Sequence, residues 1–150
     1  MLWAVLSGIA VLIILGLGFY AGKLLFLLKQ QKAKQEATRK SRVHNITESV
    51  VLIAKAMEQQ QCELSEGVIR IVNLLNALPL VTPPDFKAQY PQIHALFTEV
   101  SGFAILEARQ KLSKSERRKQ DMAREQIESE YESKVLAELP QLQAYCETLA

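Results

Sequence analysis

The feature that most constrains this chain is a run of 21 residues, Leu2 to Gly22, without one charged side chain. Leu, Ile, Val, Ala and Gly dominate it, and about 20 such residues in a helix match the hydrocarbon thickness of a bilayer. Trp3 and Tyr20 lie 17 positions apart. At ~1.5 Å per residue that is about 26 Å, which suits two rings in opposite interfacial belts. Lys23 then falls at the inner boundary, its stem reaching the headgroups while Leu24 to Leu28 continue the helix with some tilt. The run predicts a transmembrane anchor over residues 1–28. A cleaved signal peptide is the competing reading. It requires a basic segment ahead of a short apolar stretch, and Met1, Leu2 and Trp3 carry no side-chain charge.

Charge is divided as sharply as hydropathy. Residues 29–42 carry six Lys/Arg against Glu36, a net +5, whereas residues 43–150 carry eleven Lys/Arg and fifteen Asp/Glu, a net −4. The basic stretch holds Lys29, Lys32, Lys34, Arg39, Lys40 and Arg42, all within about 20 residues of the apolar run. Positive charge stays on the side of synthesis, so the N-terminus is expected outside and residues 43–150 in the cytoplasm. Residues 29–42 are polar on every face and read as a solvated helix or linker, with a break near His44 where Asn45 and Glu48 resemble a helix start. Within the anchor, Gly18 and Gly22 form a Gly-x-x-x-Gly pair that lets two helix backbones approach, which allows self-association or packing against a membrane partner.

The remaining 108 residues show helical periodicity and no sustained alternation, predicting an all-α body of about four helices. Val43, Ile46, Val50, Ile53 and Met57 form one apolar seam. A second helix is expected from Ser65, as N-cap, to Leu78, apolar around most of its circumference, with Glu66, Arg70, Asn73 and Asn76 as a polar strip. Pro79 to Pro91 reads as a long ordered loop. Pro91 suits the first position of a short helix bearing Ile93, Leu96, Phe97 and Val100. A loop after Gly102 leads to a capping box at Ser113 and Glu116 and a long charged helix, kinked or restarted at Pro140.

Catalytic chemistry is hard to place. Only Gly67 and Gly102 lie beyond the anchor, too few for a phosphate-cradling loop, and Cys62 and Cys146 form no Cys-x-x-Cys. His44 lacks the acidic neighbour of a phosphoacceptor histidine and reads as a surface residue, while His94 reads as a half-buried packing residue. Glu125, Glu128, Glu130 and Glu132 have no Glu-x-x-His beside them and read as a solvated face with Arg124–Glu128 and Glu130–Lys134 pairs. Lys111, Lys114, Arg117, Arg118 and Lys119 form a second basic cluster that suits an anionic leaflet better than nucleic acid, since no aromatic residues interleave it. No cofactor or metal is implied.

The run Cys62-Glu63-Leu64-Ser65-Glu66-Gly67-Val68-Ile69-Arg70-Ile71, with Ala54-Lys55-Ala56-Met57 before it and Pro91 to Phe97 and Glu107-Ala108-Arg109 after it, resembles an uncharacterised bacterial family of short single-pass membrane proteins, a domain of unknown function. That resemblance implies a bacterial inner-membrane location and carries no activity. The run has its own physical reading as a packing motif at the start of a helix. Glu66 and Arg70 are spaced for an ion pair, Gly67 permits close approach of another backbone, and Cys62 serves as a small buried residue. The leading expectation is a non-enzymatic, membrane-anchored scaffold whose partners are the lipid bilayer and a protein. The alternative is a surface protein responding to anionic lipid through its two basic clusters. A third is an enzyme of unfamiliar type, which would need a deep polar pocket of titratable groups.

Overall fold

The computed structural model describes residues 1–103 and 110–149. Five helices are present among them and no strand: α1 Leu2–Glu58, α2 Leu64–Asn76, α3 Phe86–Gln89, α4 Pro91–Val100 and α5 Lys114–Leu149. Glu107-Ala108-Arg109 and the connection after Phe103 lie outside the described residues. The chain divides into two units, Met1–Ser41 and Arg42–Ala150.

The first unit is helical from Leu2 onward, and its apolar stretch is long and apolar enough to cross a membrane, with none of that stretch buried. The break expected near His44 is absent, because α1 continues to Glu58. The reason is local. Between Lys23 and Glu58 the sequence contains neither Gly nor Pro, and its many Lys, Gln, Ala, Glu and Arg residues are among the better helix formers. Asn45 and Glu48 are therefore ordinary helix-interior positions. A Cβ added at Gly18 or Gly22 would meet nothing within 4 Å, so packing within the chain accounts for neither glycine.

The second unit closes one core. From α1 it takes Val43, Thr47, Val50, Ala54 and Met57, with the predicted Ile46 and Ile53 half-buried at its margin. The true seam includes two small residues that an apolar count passes over. Thr47 is tolerated inside because its hydroxyl donates back to the carbonyls of Val43 (3.0 Å) and His44 (2.9 Å). Val68, Ile71, Val72 and Leu75 come from α2, Ile93, Leu96 and Val100 from α4, and Val135, Leu139, Leu142 and Cys146 from α5. The strip Glu66, Arg70, Asn73 and Asn76 faces solvent as expected.

Residues 79–91 hold a helical turn where a loop alone was expected. Asp85 caps α3, its Oδ1 accepting the amides of Lys87 (3.1 Å) and Ala88 (3.2 Å). Phe86 and Tyr90 are buried and fasten the segment to the core, and the Phe86 ring meets Tyr145 edge-on at 6.0 Å. The Ser113–Glu116 capping box forms, with the Ser113 amide (2.9 Å) and hydroxyl (2.7 Å) donating to Glu116 Oε2. These bonds hold the Glu116 carboxyl below its ordinary range. Pro140 neither ends nor restarts α5. It sits exposed inside the helix, where its missing N–H removes one rung of the ladder.

The neighbour of Gly67 is a side chain, the Met57 thioether, and not another backbone. An added Cβ would overlap Met57 Sδ and Cγ. Because Met57 is itself buried, Gly67→Ala is expected to destabilise the protein by about 1–3 kcal/mol. A urea titration of the full chain in detergent measures this.

Candidate functional site

The Cys62–Arg70 motif leads into a groove of about 480 Å³ between the α1–α2 turn and α5. Met57, Leu64 and Leu136 form its apolar part, and Gln60, Gln61 and Cys62 line the turn. Opposite them stand Glu125, Glu128, Ser129 and Glu132. The turn is built as a Schellman close. The Gln61 amide donates to Ala56 O (2.8 Å) and the Gln60 amide to Met57 O (3.0 Å). The residue between helix end and turn must then be left-handed, and Gln60 has φ 56°. A glutamine there is disfavoured by about 1–2 kcal/mol, and nothing in its residue type announces the turn.

Ser65 does not cap α2. It lies inside the first turn and is buried, while the N-cap position belongs to Glu63, whose side chain makes no cap bond. The cap arrives from α5. Glu128 Oε1 accepts the Ser65 amide at 3.3 Å and also the Ser65 hydroxyl. Arg124 stands beside this contact, its guanidinium 4.0 Å from Glu128 and 3.7 Å from both Glu63 and Asp121. Ten residues further along α5, Glu138 does the same for α4. Its carboxylate accepts the amides of Gln92 and Ile93, each at 3.0 Å, directly after Pro91, which has no amide to offer. The expectation of a solvated acidic face is thus corrected for Glu128, whose side chain is only 21% exposed. Glu125, Glu130 and Glu132 are exposed. The Arg124–Glu128 pair is present, whereas Lys134 lies over the Tyr131 ring, 5.2 Å from its centroid.

The other sequence candidates separate. Glu66 and Arg70 form their ion pair on the exposed strip. Cys62 is half-buried at the groove, and burial, followed by the nearby Glu66 carboxylate, pushes its thiol pKa up. That is the opposite of what an activated thiolate requires. Arg117 leaves the second basic cluster, since its guanidinium donates to Leu112 O (3.1 Å) and Gln110 O (3.0 Å) and is half-buried. Arg118 and Lys119 remain exposed, as do Lys29, Lys32, Lys34, Lys40 and Arg42. Arg39 is half-buried beside Glu36, 3.9 Å away. Among the described residues no three His, Cys, Asp or Glu side chains converge to hold a metal. His44 is exposed, and His94 is half-buried with its Nδ1 3.1 Å from Tyr90 O. A second hollow, about 430 Å³, lies where the 79–91 segment meets α2 and α4, between Leu75, Leu78, Phe86 and Phe97.

These features define an all-helical protein with one long apolar helix and a small capped bundle. The chain matches the family described as "Protein of unknown function (DUF2489)" over residues 14–142, and it belongs to that family. An uncharacterised protein of Haemophilus influenzae is 36% identical over 141 residues, 93% of this chain and 91% of the relative. No solved structure matched the chain.

Glu128→Ala is expected to cost about 1–3 kcal/mol, because it leaves the buried Ser65 hydroxyl and amide without an acceptor. Glu128→Ala with Ser65→Ala should recover part of that loss, and chemical denaturation of the two variants provides the comparison. Cys146 is fully buried, which raises its pKa from the ordinary thiol value to about 11. The folded state keeps this proton while the unfolded chain loses it near pH 9. Its contribution to stability is full below that point and disappears progressively up to about pH 11. Cys146→Ala should flatten that alkaline decline, and at neutral pH a thiol reagent should modify Cys62 well before Cys146.

Proposed function

We propose that this protein is a membrane-anchored, non-enzymatic helical module that holds a protein partner close to a bacterial inner membrane. The observation that carries the reading is the contrast between its parts. The body buries its own apolar residues in one core, while the large apolar side chains between Leu2 and Leu28 are left uncovered. Uncovered apolar surface on that scale has a place in lipid and none in water. The basic residues that follow set the N-terminus outside and the body in the cytoplasm. The surfaces best suited to a partner are the hollow under Pro83 and Pro84 and the polar strip around Arg70.

Protease added to intact cells is expected to spare the C-terminal portion and to digest it once the inner membrane is opened. Digestion in intact cells would overturn the topology. Detergent pull-down should recover a specific protein with the intact chain, and less of it with the chain lacking residues 1–28. Recovery of none with either form would count against a tethering role.

A further inference from the structure

We propose that the N-terminal helix crosses its bilayer tilted, with Lys29, Lys32, Arg39 and Lys40 turned down onto the headgroups of anionic phospholipids. The inference rests on the membrane-anchor reading and adds to it a direction of tilt and a class of lipid.

Length supplies the tilt. From Leu2 to Leu28 the helix carries one charge, Lys23, and those 27 residues extend about 40 Å at 1.5 Å per residue, against about 30 Å of hydrocarbon. An upright helix centred on Leu2 to Gly22 would leave Leu24 to Leu28, five large apolar residues exposed on the helix surface, among headgroups. A tilt of about 40° brings the whole stretch into lipid. Tilting makes the two flanks of the helix unequal. With a diameter of about 10 Å, the upper flank surfaces about one and a half turns before the lower one, which then overhangs the leaflet.

The side chains fit this asymmetry. At 3.6 residues per turn, Lys29, Lys32, Arg39 and Lys40 fall within an arc of about 100°. Tyr20, Lys23 and Lys34 fall within about 60° on the opposite side. Tyr20 and Lys23, with polar tips inside the apolar stretch, thus sit on the flank that reaches the interface first, where both can extend to the headgroups. The later cations occupy the overhanging flank. A shallow hollow of about 390 Å³ opens there between Lys32, Gln35, Glu36 and Arg39. Glu36 shares this face, 3.9 Å from Arg39, and leaves it with a net +3. Screening makes the orientation matter. Lys40 is about 17 Å beyond Lys29 along the axis, so on an upright helix it would stand about two Debye lengths from the headgroups that Lys29 touches. Tilt and the reach of its side chain restore it to the surface field. The ligand is the phosphate of an anionic lipid, in the leaflet into which the helix emerges.

The test uses the full-length protein reconstituted in phosphatidylcholine bilayers with trace spin-labelled lipids, whose motionally restricted fraction gives the association of phosphatidylglycerol relative to phosphatidylcholine. At low salt the anionic lipid should be preferred about fivefold, the worth of one well-placed cation, and high salt should abolish the preference. Lys29→Gln, Lys32→Gln, Arg39→Gln and Lys40→Gln together should remove it. A set matched in charge, Lys34→Gln, Lys114→Gln, Arg118→Gln and Lys119→Gln, should retain most of it. Equal loss in the two sets, or no preference in the parent protein, overturns the proposal. Trp3, the one tryptophan, separates this from the reading beneath it. Quenching of Trp3 by brominated acyl chains without anionic preference sinks the tilt and lipid assignment alone. An unquenched Trp3 sinks the anchor as well.

Discussion

Every helix begins with amide groups that have no partner of their own, and in this bundle two of those beginnings are met by one other helix. Glu128 receives the start of α2 and Glu138 the start of α4. The two carboxylates are ten residues apart, about 15 Å along α5, so a single helix meets the start of both shorter ones. A negative group at a helix N-terminus satisfies the donors and also opposes the positive end of the helix dipole. The apolar layer formed by Val68, Ile71, Ile93, Leu96, Val135 and Leu139 is non-directional. Burial draws the helices together, and the carboxylates determine the register in which they meet. Neither α2 nor α4 carries a side-chain cap of its own, which makes both dependent on α5.

The same arrangement bears on function. Of the four carboxylates that line the groove, Glu128 and Glu63 are engaged within the bundle and Glu125 and Glu132 are exposed. Glu128 is bonded to Ser65, Glu63 stands near Arg124, and burial pushes the pKa of the Cys62 thiol up. The first unit adds a helix that is long and apolar enough to cross a membrane.

Much of this architecture is visible in the amino-acid order because it depends on local rules. The all-α class, the polar strip on α2, Pro91 at the head of α4 and the Ser113–Glu116 box follow from periodicity and capping patterns spanning four or five residues. The corrections share a different cause. Ser65 has the right residue type for a cap, yet its partner lies 63 positions away. Glu128 looks like any other glutamate on a charged helix until α2 arrives. Arg117 reads as one more surface cation although its guanidinium closes the turn at Gln110 and Leu112. Thr47 and Ala54 are passed over because their burial depends on what packs against α1. Gln60 adopts a backbone conformation for which glycine would have been the informative residue. Each miss concerns a long-range partner or a disfavoured choice that the fold tolerates.

Pro140 follows Glu138 by two positions, and its consequence is mechanical. Without an amide to bond the carbonyl of Leu136, the segment from Gln141 to Leu149 is joined to the rest of α5 by a softened joint. Beyond the joint, Leu142 and Cys146 enter the core and Tyr145 meets Phe86. The C-terminal turns therefore act as a clasp on the proline-rich segment. One continuous helix thereby serves as both strut and latch.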